Sequence, residues 1–471
     1  MATARVIGAG PNGLAAAITL AQAGVQVVVY EANDRVGGAC GTEELTEPGF
    51  RHDVGAAVFP MGVASPFLKT LPLAEHGVRW VQPEAPMAHP LDDGTAVMLE
   101  RSVDGTADGL GVDGVAYRRM MGPLMDGWSG LVEEILQPVL HVPRHPVGLA
   151  RFGAMGMLPA MALAKMSFKG ARARALFAGS AAHSVMPLTR VLTSAPGLLL
   201  QGGGHGEGWP IVQGGSQGLS DALASILRGL GGEIRLGVRV GRLEELDGAY
   251  LTLCDVTPRQ FLAMADVRFP MRRRLAGWRY APGVFKIDYA LSEPIPWAAT
   301  ECRRAATVHL GGTMEEIAAS EEAAWSGRMD VPPFCLLVQP SLFDPTRAPD
   351  GKHTAWVYCH VPNGSKLDWS RQIEAQIERF APGFRDCVIA RRTQTTEQME
   401  AWDANLVGGD LSGGAMGLGQ MVFRPTASGY RTGVPGTYLC SSSTAPGGGV
   451  HGMCGYWAGR LALAGLATTR G

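Results

Sequence analysis

Two apolar runs separated by a stretch of small residues open the chain. Arg5 to Ile7 reads as a short strand, Asn12 to about Ala23 as a helix closed by Gly24, and Gln26 to Tyr30 as a valine-rich strand. The same strand–helix–strand logic returns later. Gly214-Gly215 precedes a helix with good apolar spacing from Leu219 to Leu230, and Gly231-Gly232 ends it. Glu233 to Leu243 then alternates, which predicts a strand with Ile234, Leu236, Val238 and Val240 on one face. Leu251 to Val256 reads as a buried strand. Strand-like pieces at Lys286–Leu291, Ala306–Leu310, Phe334–Gln339, His353–His360 and Cys387–Arg391, with a helix at about Ser370–Arg379, fit a second sheet. Thr437 to Ser441 is a last short strand, and a helix runs from the glycines beyond it to about Leu466.

One stretch has a different character. From Ile135 to Gly206 there is no aspartate or glutamate, while Arg144, Arg151, Lys165, Lys169, Arg172, Arg174 and Arg190 give a local charge of +7. Its pattern is mostly helical, with breaks at Pro143, Pro146, Pro159, Pro187 and Pro196. A helical lobe covering the main body is the plain reading. An anionic membrane surface or a large apolar substrate are the sharper ones. Met155, Met157, Met161 and Met166 suit an adaptable apolar cavity, or equally core filling.

Composition narrows the class. The 471 residues are 46% hydrophobic and 18% charged, enough for a substantial core, and the formal net charge of -2 gives no reason to expect nucleic acid as a partner. The eight cysteines form no CxxC and no metal-like cluster with histidine, so no metal is expected and buried thiols in a reducing compartment are favoured. No secretory signal and no run of about 20 apolar residues is visible, so a cytoplasmic protein is expected. Nothing in the pattern sets an oligomeric state.

The chemistry lies in the turns. Gly8, Gly10 and Gly13 form G-x-G-x-x-G directly after the first strand, and Glu31 ends the second strand 18 residues after Gly13. Gly8 permits the tight turn, Gly10 lets the backbone approach a pyrophosphate, and Gly13 allows close helix–strand packing. The helix start, where Pro11 and Asn12 stand, presents the free amides beyond the proline and a positive dipole end to phosphates, and Glu31 can accept hydrogen bonds from an adenosine ribose. This motif alone does not separate NAD from FAD. Asp34-Arg35-Val36-Gly37-Gly38 follows at once. With it, Val6–Gly41 resembles the opening of the FAD-dependent amine oxidase and phytoene desaturase superfamily. The pieces Val308–Gly312 and Gln339–Asp344 look like the branch containing the pyridine nucleotide-disulfide oxidoreductase domain-containing protein 2. The chain has no redox CxxxxC pair, so disulfide reductase activity is not expected.

The resemblance implies an α/β fold. It would be a discontinuous Rossmann-like FAD-binding domain of the glutathione reductase type, built from residues 1–80, 206–285 and 420–471. An inserted α+β substrate domain, 81–205 and 286–419, would carry a helical lobe at about 120–205. By the same resemblance Ala32, Arg35, Gly37, Gly38 and Val240 join the FAD site, and the region around His52 and Asp53 returns near the flavin. Pro446-Gly447-Gly448-Gly449 before the last helix would lie under the flavin, which makes Gly448, Gly449, Val450, His451 and Gly452 contacts. His451 either touches the ring or the substrate, or makes a local bond at the helix start. His205, in the run Gly202–Gly206, could sit at a domain hinge beside the active site or simply in a loop, and Glu207 is a candidate general base.

No second strand–G-x-G-x-x-G–helix–acid unit is present, so one noncovalent FAD is the simplest reading. The expected reaction removes a hydride and a proton from a C–C unit of an apolar substrate, polyene or isoprenoid in kind. Oxygen, a quinone or another carrier would accept the electrons. Oxidation of a C–N bond is the competing enzyme reading, which an aromatic pair at the flavin would favour; Tyr456 and Trp457 are present. A flavin-holding scaffold is the non-enzyme alternative. Peripheral membrane contact through residues 135–206 is the remaining expectation.

Overall fold

The computed structural model describes residues 2–246, 248–328 and 330–468. Thr3–Ile7 pairs in parallel with Gln26–Tyr30 on one side and Leu251–Cys254 on the other. Thr437–Leu439 and Glu233–Arg235 extend the sheet outward, giving five parallel strands drawn from both ends of the chain and its middle. A sheet buried on both faces needs near-continuous apolar strands, and Val6, Val27, Val29 and Leu253 supply them. The helix Pro11–Gln22 buries every residue from Gly13 to Leu20. The last helix, Met453–Thr468, crosses it so closely that a Cβ on Gly455 would stand 1.8 Å from the Asn12 carbonyl oxygen.

A second sheet of seven strands runs in the order Val388–Gln394, Gly283–Leu291, His353–Val361, Cys335–Val338, Ala305–Leu310, Ala85–Pro90 and Ala96–Leu99. Its pairs are antiparallel except Ala305–Leu310 with Ala85–Pro90. One face packs on Ser370–Phe380 through Ile373, Ile377 and Phe380. From the other, Ala306, Val338 and Trp356 meet Ala57 and Ile211. Beside this contact lies a buried ionic joint. Arg347 reaches Asp53 at 2.7 Å and Asp344 at 3.0 Å, and Asp53 also accepts from the Ser216 N–H at 2.8 Å. Burial pushes the Asp53 carboxyl up, but the Arg347 guanidinium and these hydrogen bonds outweigh it and hold it below its ordinary range.

Three expectations need correction. The strand expected from Glu233 to Leu243 ends at Arg235, because Gly237 turns into the left-handed region at φ 68° and leaves Leu236 and Val238 exposed. Gly202–Gly206 is neither loop nor hinge but the end of the helix Ser194–Gly206. Its glycines make room for an indole: a Cβ on Gly202 would lie 2.3 Å from Trp128 and one on Gly206 2.4 Å. Of the four lobe methionines, Met157 and Met166 are exposed and fill neither core nor cavity. All eight cysteines are free and buried.

Candidate functional site

The carboxyl ends of the parallel strands open onto a cavity of about 410 Å³. This is where an open α/β sheet presents loop backbone and helix amides to a ligand. Gly8, Gly10, Pro11 and Asn12 form one wall. Glu31 and Ala32, at the end of Gln26–Tyr30, form a second with Val240 from the loop beyond Glu233–Arg235. Gly38 lines the cavity, and Gly448, Gly449 and Val450 close it from the far end of the chain. Val450 holds φ 51°, a left-handed conformation that costs a β-branched residue roughly 1–3 kcal/mol and that clusters at functional turns.

The walls have the chemistry of a dinucleotide cradle. A Cβ on Gly10 would stand 2.8 Å from Asp255 Oδ2, and one on Gly13 2.2 Å from the Gly8 carbonyl oxygen, so neither position accepts a side chain. Gly10 caps the first helix with no side-chain hydrogen bond, so no side chain covers the positive end of the helix. A helix start so arranged favours an anion. Glu31 accepts from the Ala9 N–H at 2.7 Å and the Asn33 N–H at 2.9 Å, which fixes its carboxylate at the cavity wall.

Three further carboxylates, Asp255, Asp403 and Asp410, line this space. Asp255 Oδ2 accepts the Gly13 N–H at 2.8 Å. Burial pushes its pKa up to about 8, with Asp403 and Glu31 adding repulsion. Asp403 is pushed up to about 6, again by burial first and then by Glu31. Asp255 is therefore largely a neutral acid at pH 7, which suits a wall that must tolerate phosphate charge.

The comparisons agree with this geometry. Residues 6–71 match the family of NAD(P)-binding Rossmann-like domains. The mouse (Mus musculus) pyridine nucleotide-disulfide oxidoreductase domain-containing protein 2 is 28% identical, covering 96% of this chain and 91% of its own length. The phytoene dehydrogenase of Streptomyces griseus is 27% identical over 82% of this chain and 77% of that protein. Cyclohexylamine oxidase from Brevibacterium oxydans superposes with a TM-score of 0.63 at 15% identity, over 99% of both chains. The chain has the fold of these oxidoreductases.

Within this oxidoreductase fold the other candidate residues stand behind or beside the cavity. Gly13 and Gly37 are braces: the first donates to Asp255, and the second donates its N–H to the Ala9 carbonyl at 2.9 Å. Arg35 lies in an adjoining groove with Trp402, paired with Glu43. His451 is buried at the start of the last helix, where its Nδ1 accepts the Met453 N–H at 3.0 Å. Burial lowers its pKa to about 4, so the ring is neutral. Gly452 turns toward Ala15 and Phe67 instead of the cavity. His205 does not line the cavity. It bonds the Tyr117 hydroxyl at 2.8 Å and the Glu100 carbonyl at 3.0 Å. Glu207 is taken up by Lys69 at 2.8 Å and is no free base. Trp457 donates to the Leu136 carbonyl, and Tyr456 packs on Phe67.

Sequence reasoning missed Asp255, Asp403 and Asn405. Asp255 carried a usable signal, an acid just past a buried strand and so at the ligand edge of the sheet. Asp403 and Asn405 carried none. They arrive on a loop from beyond the second sheet, where Asn405 donates to the Asp255 carbonyl at 2.9 Å and accepts the Thr257 N–H at 3.0 Å.

Proposed function

We propose that this chain is an FAD-dependent oxidoreductase that takes a hydride and a proton from a C–C unit of an apolar substrate, polyene or isoprenoid in kind, as a desaturase, dehydrogenase or redox-neutral isomerase. The observation that supports it most is the single cavity shared by the Gly8–Asn12 loop and the Gly448–Val450 turn. That arrangement suits a long dinucleotide held noncovalently at both ends. When bound, FAD supplies the hydride-accepting chemistry.

The residues of this chain have the remaining tasks. Glu31 would hold the ribose hydroxyls, the first helix start would face the pyrophosphate, and Gly448–Val450 would lie against the ring. The buried Asp53–Arg347–Asp344 joint ties the Arg51–Asp53 strand to the turn that precedes His353–Val361, and would help keep the parts of the body that meet there from shifting. Oxygen, a quinone or another carrier is the electron acceptor this reading requires.

Anaerobic titration of the flavin-loaded protein tests it. Bleaching of the visible flavin bands by a polyene or isoprenoid alkene, and not by primary amines, is the expected result. Bleaching by amines alone would transfer the reading to C–N oxidation. A loaded protein that neither class reduces, and that isomerises no alkene when its flavin is supplied reduced, would favour a flavin-holding scaffold.

A further inference from the structure

Part of the acid-free stretch identified in the sequence displays apolar side chains to solvent. The helix Trp128–Ile135 carries Glu134, which is buried. Its Oε1 accepts the N–H groups of Arg144 and His145, each at 2.7 Å, and its other oxygen meets the His141 imidazole. His141 in turn bonds the Pro138 carbonyl at 2.7 Å. The loop between residues 137 and 145 is thus held from the inside by a carboxylate withdrawn from the surface. Outward it shows Val139, Leu140 and Val142, the last of them 90% exposed.

The next helix, Pro146–Gly156, is apolar on its outer face as well as its inner one. Phe152 and Gly156 are its buried residues. Val147, Ala150, Arg151 and Ala154 are exposed, and Met157 follows at the same spacing. Positions three and four apart form one stripe, so the water-facing side of this helix is apolar except for Arg151. A solvent-facing stripe is ordinarily polar, and contiguous exposed apolar surface marks an interaction site. The helix Ala160–Ser167 ends with Lys165 and Met166, both exposed.

We propose that the 137–145 loop and the outward stripe of Pro146–Gly156 dock this protein on an anionic lipid surface. Charge selects that occupant. Arg144 lies on the loop and Arg151 on the stripe, both exposed, Lys165 and Lys169 are exposed farther along the chain, and no acidic residue occurs from 135 to 206. The exposed carboxylate Glu133 stands 3.9 Å from His145. Apolar tips interspersed with bases match anionic headgroups over acyl chains. A second copy would bring the same basic face against itself, and like charges would oppose the contact. The attachment is interfacial. No single described helix is long and apolar enough to cross a bilayer, and Pro146–Gly156 and Ala160–Ser167 meet at a bend of 99°.

The test uses the full chain with phosphatidylcholine vesicles, with and without phosphatidylglycerol. All eight native cysteines are buried, so Val142→Cys can carry an environment-sensitive fluorophore selectively. The wild type should cosediment with the anionic vesicles, the label at position 142 should shift to the blue on them, and added salt should release the protein. Arg144→Glu/Arg151→Glu should weaken binding by about tenfold or more. Val142→Asp/Val147→Asp should abolish the bound fraction while leaving thermal melting unchanged. Wild-type protein that stays in the supernatant would overturn the proposal. So would vesicle-bound protein whose label does not shift. A dimer in solution that Val142→Asp dissociates, with no vesicle binding, would assign the patch to a second copy and overturn it equally. These readouts do not depend on the redox activity, so failure here leaves the proposed reaction standing.

Discussion

Replacing Asp255 by asparagine should remove a pH dependence from FAD binding. The carboxylate stands at the mouth of the glycine loop, with Oδ2 accepting the Gly13 N–H at 2.8 Å, close to where the Gly10 backbone would meet a pyrophosphate. Burial raises its pKa to about 8, so at pH 7 it is mainly neutral. As pH rises through that value a negative charge appears beside phosphates that stay ionised throughout. If binding needs the neutral acid, the dissociation constant of FAD rises by roughly tenfold, about 1.4 kcal/mol, for each pH unit above the titration. Fold stability has the same sign. A carboxyl whose folded pKa is raised contributes fully below its ordinary range near 3.8, and that contribution is lost as pH climbs through about 8. Asparagine keeps an oxygen acceptor for Gly13 and carries no charge. Fluorescence titration of FAD into apoprotein from about pH 6 to 9 reads the effect. Wild-type affinity should fall at the alkaline end and Asp255→Asn should be flat. A flat wild type, or a variant with the wild-type slope, would refute the reasoning.

Glu31→Ala removes the acceptor for the Ala9 and Asn33 N–H groups and should weaken FAD binding by about 1–3 kcal/mol in the same titration; an unchanged dissociation constant counts against the ribose role. Arg347→Met leaves Asp53 and Asp344 buried without their cation and should cost about 3–5 kcal/mol in urea unfolding, with losses under about 1 kcal/mol arguing that the joint is not structural. Gly202→Ala drives a Cβ to 2.3 Å from Trp128 and should cost about 1–3 kcal/mol. Gly203→Ala meets nothing closer than 3.4 Å and should be neutral or stabilising; equal effects from the two would contradict the packing account.

The first strand, helix and second strand were legible because each is specified locally: small residues for close packing, valines for the strand, glycines for the turn. The C-terminal glycines were legible for the same reason. That the two turns share one cavity depends on parallel strand order, which local pattern alone does not determine. The carboxylates of Asp255 and Asp403 meet only when a middle strand and a late loop are brought together, and no spacing encodes that. The segment from Glu233 misled because alternation survives past Gly237 while the backbone turns away. In the helix Pro146–Gly156 the apolar positions were visible, but the face turned to the core was not, since apolar side chains occur on both sides of it.

The most direct measurement is flavin content. Protein purified after expression with adequate flavin, or reconstituted with FAD, is scanned in the visible range, precipitated with acid, and the released cofactor quantified. One equivalent of intact, unattached FAD per chain, lost in Gly10→Val while that variant stays folded, is the result expected from a cavity walled by the first and last glycine turns. Folded wild-type protein that shows no flavin bands and takes up no added FAD would contradict it.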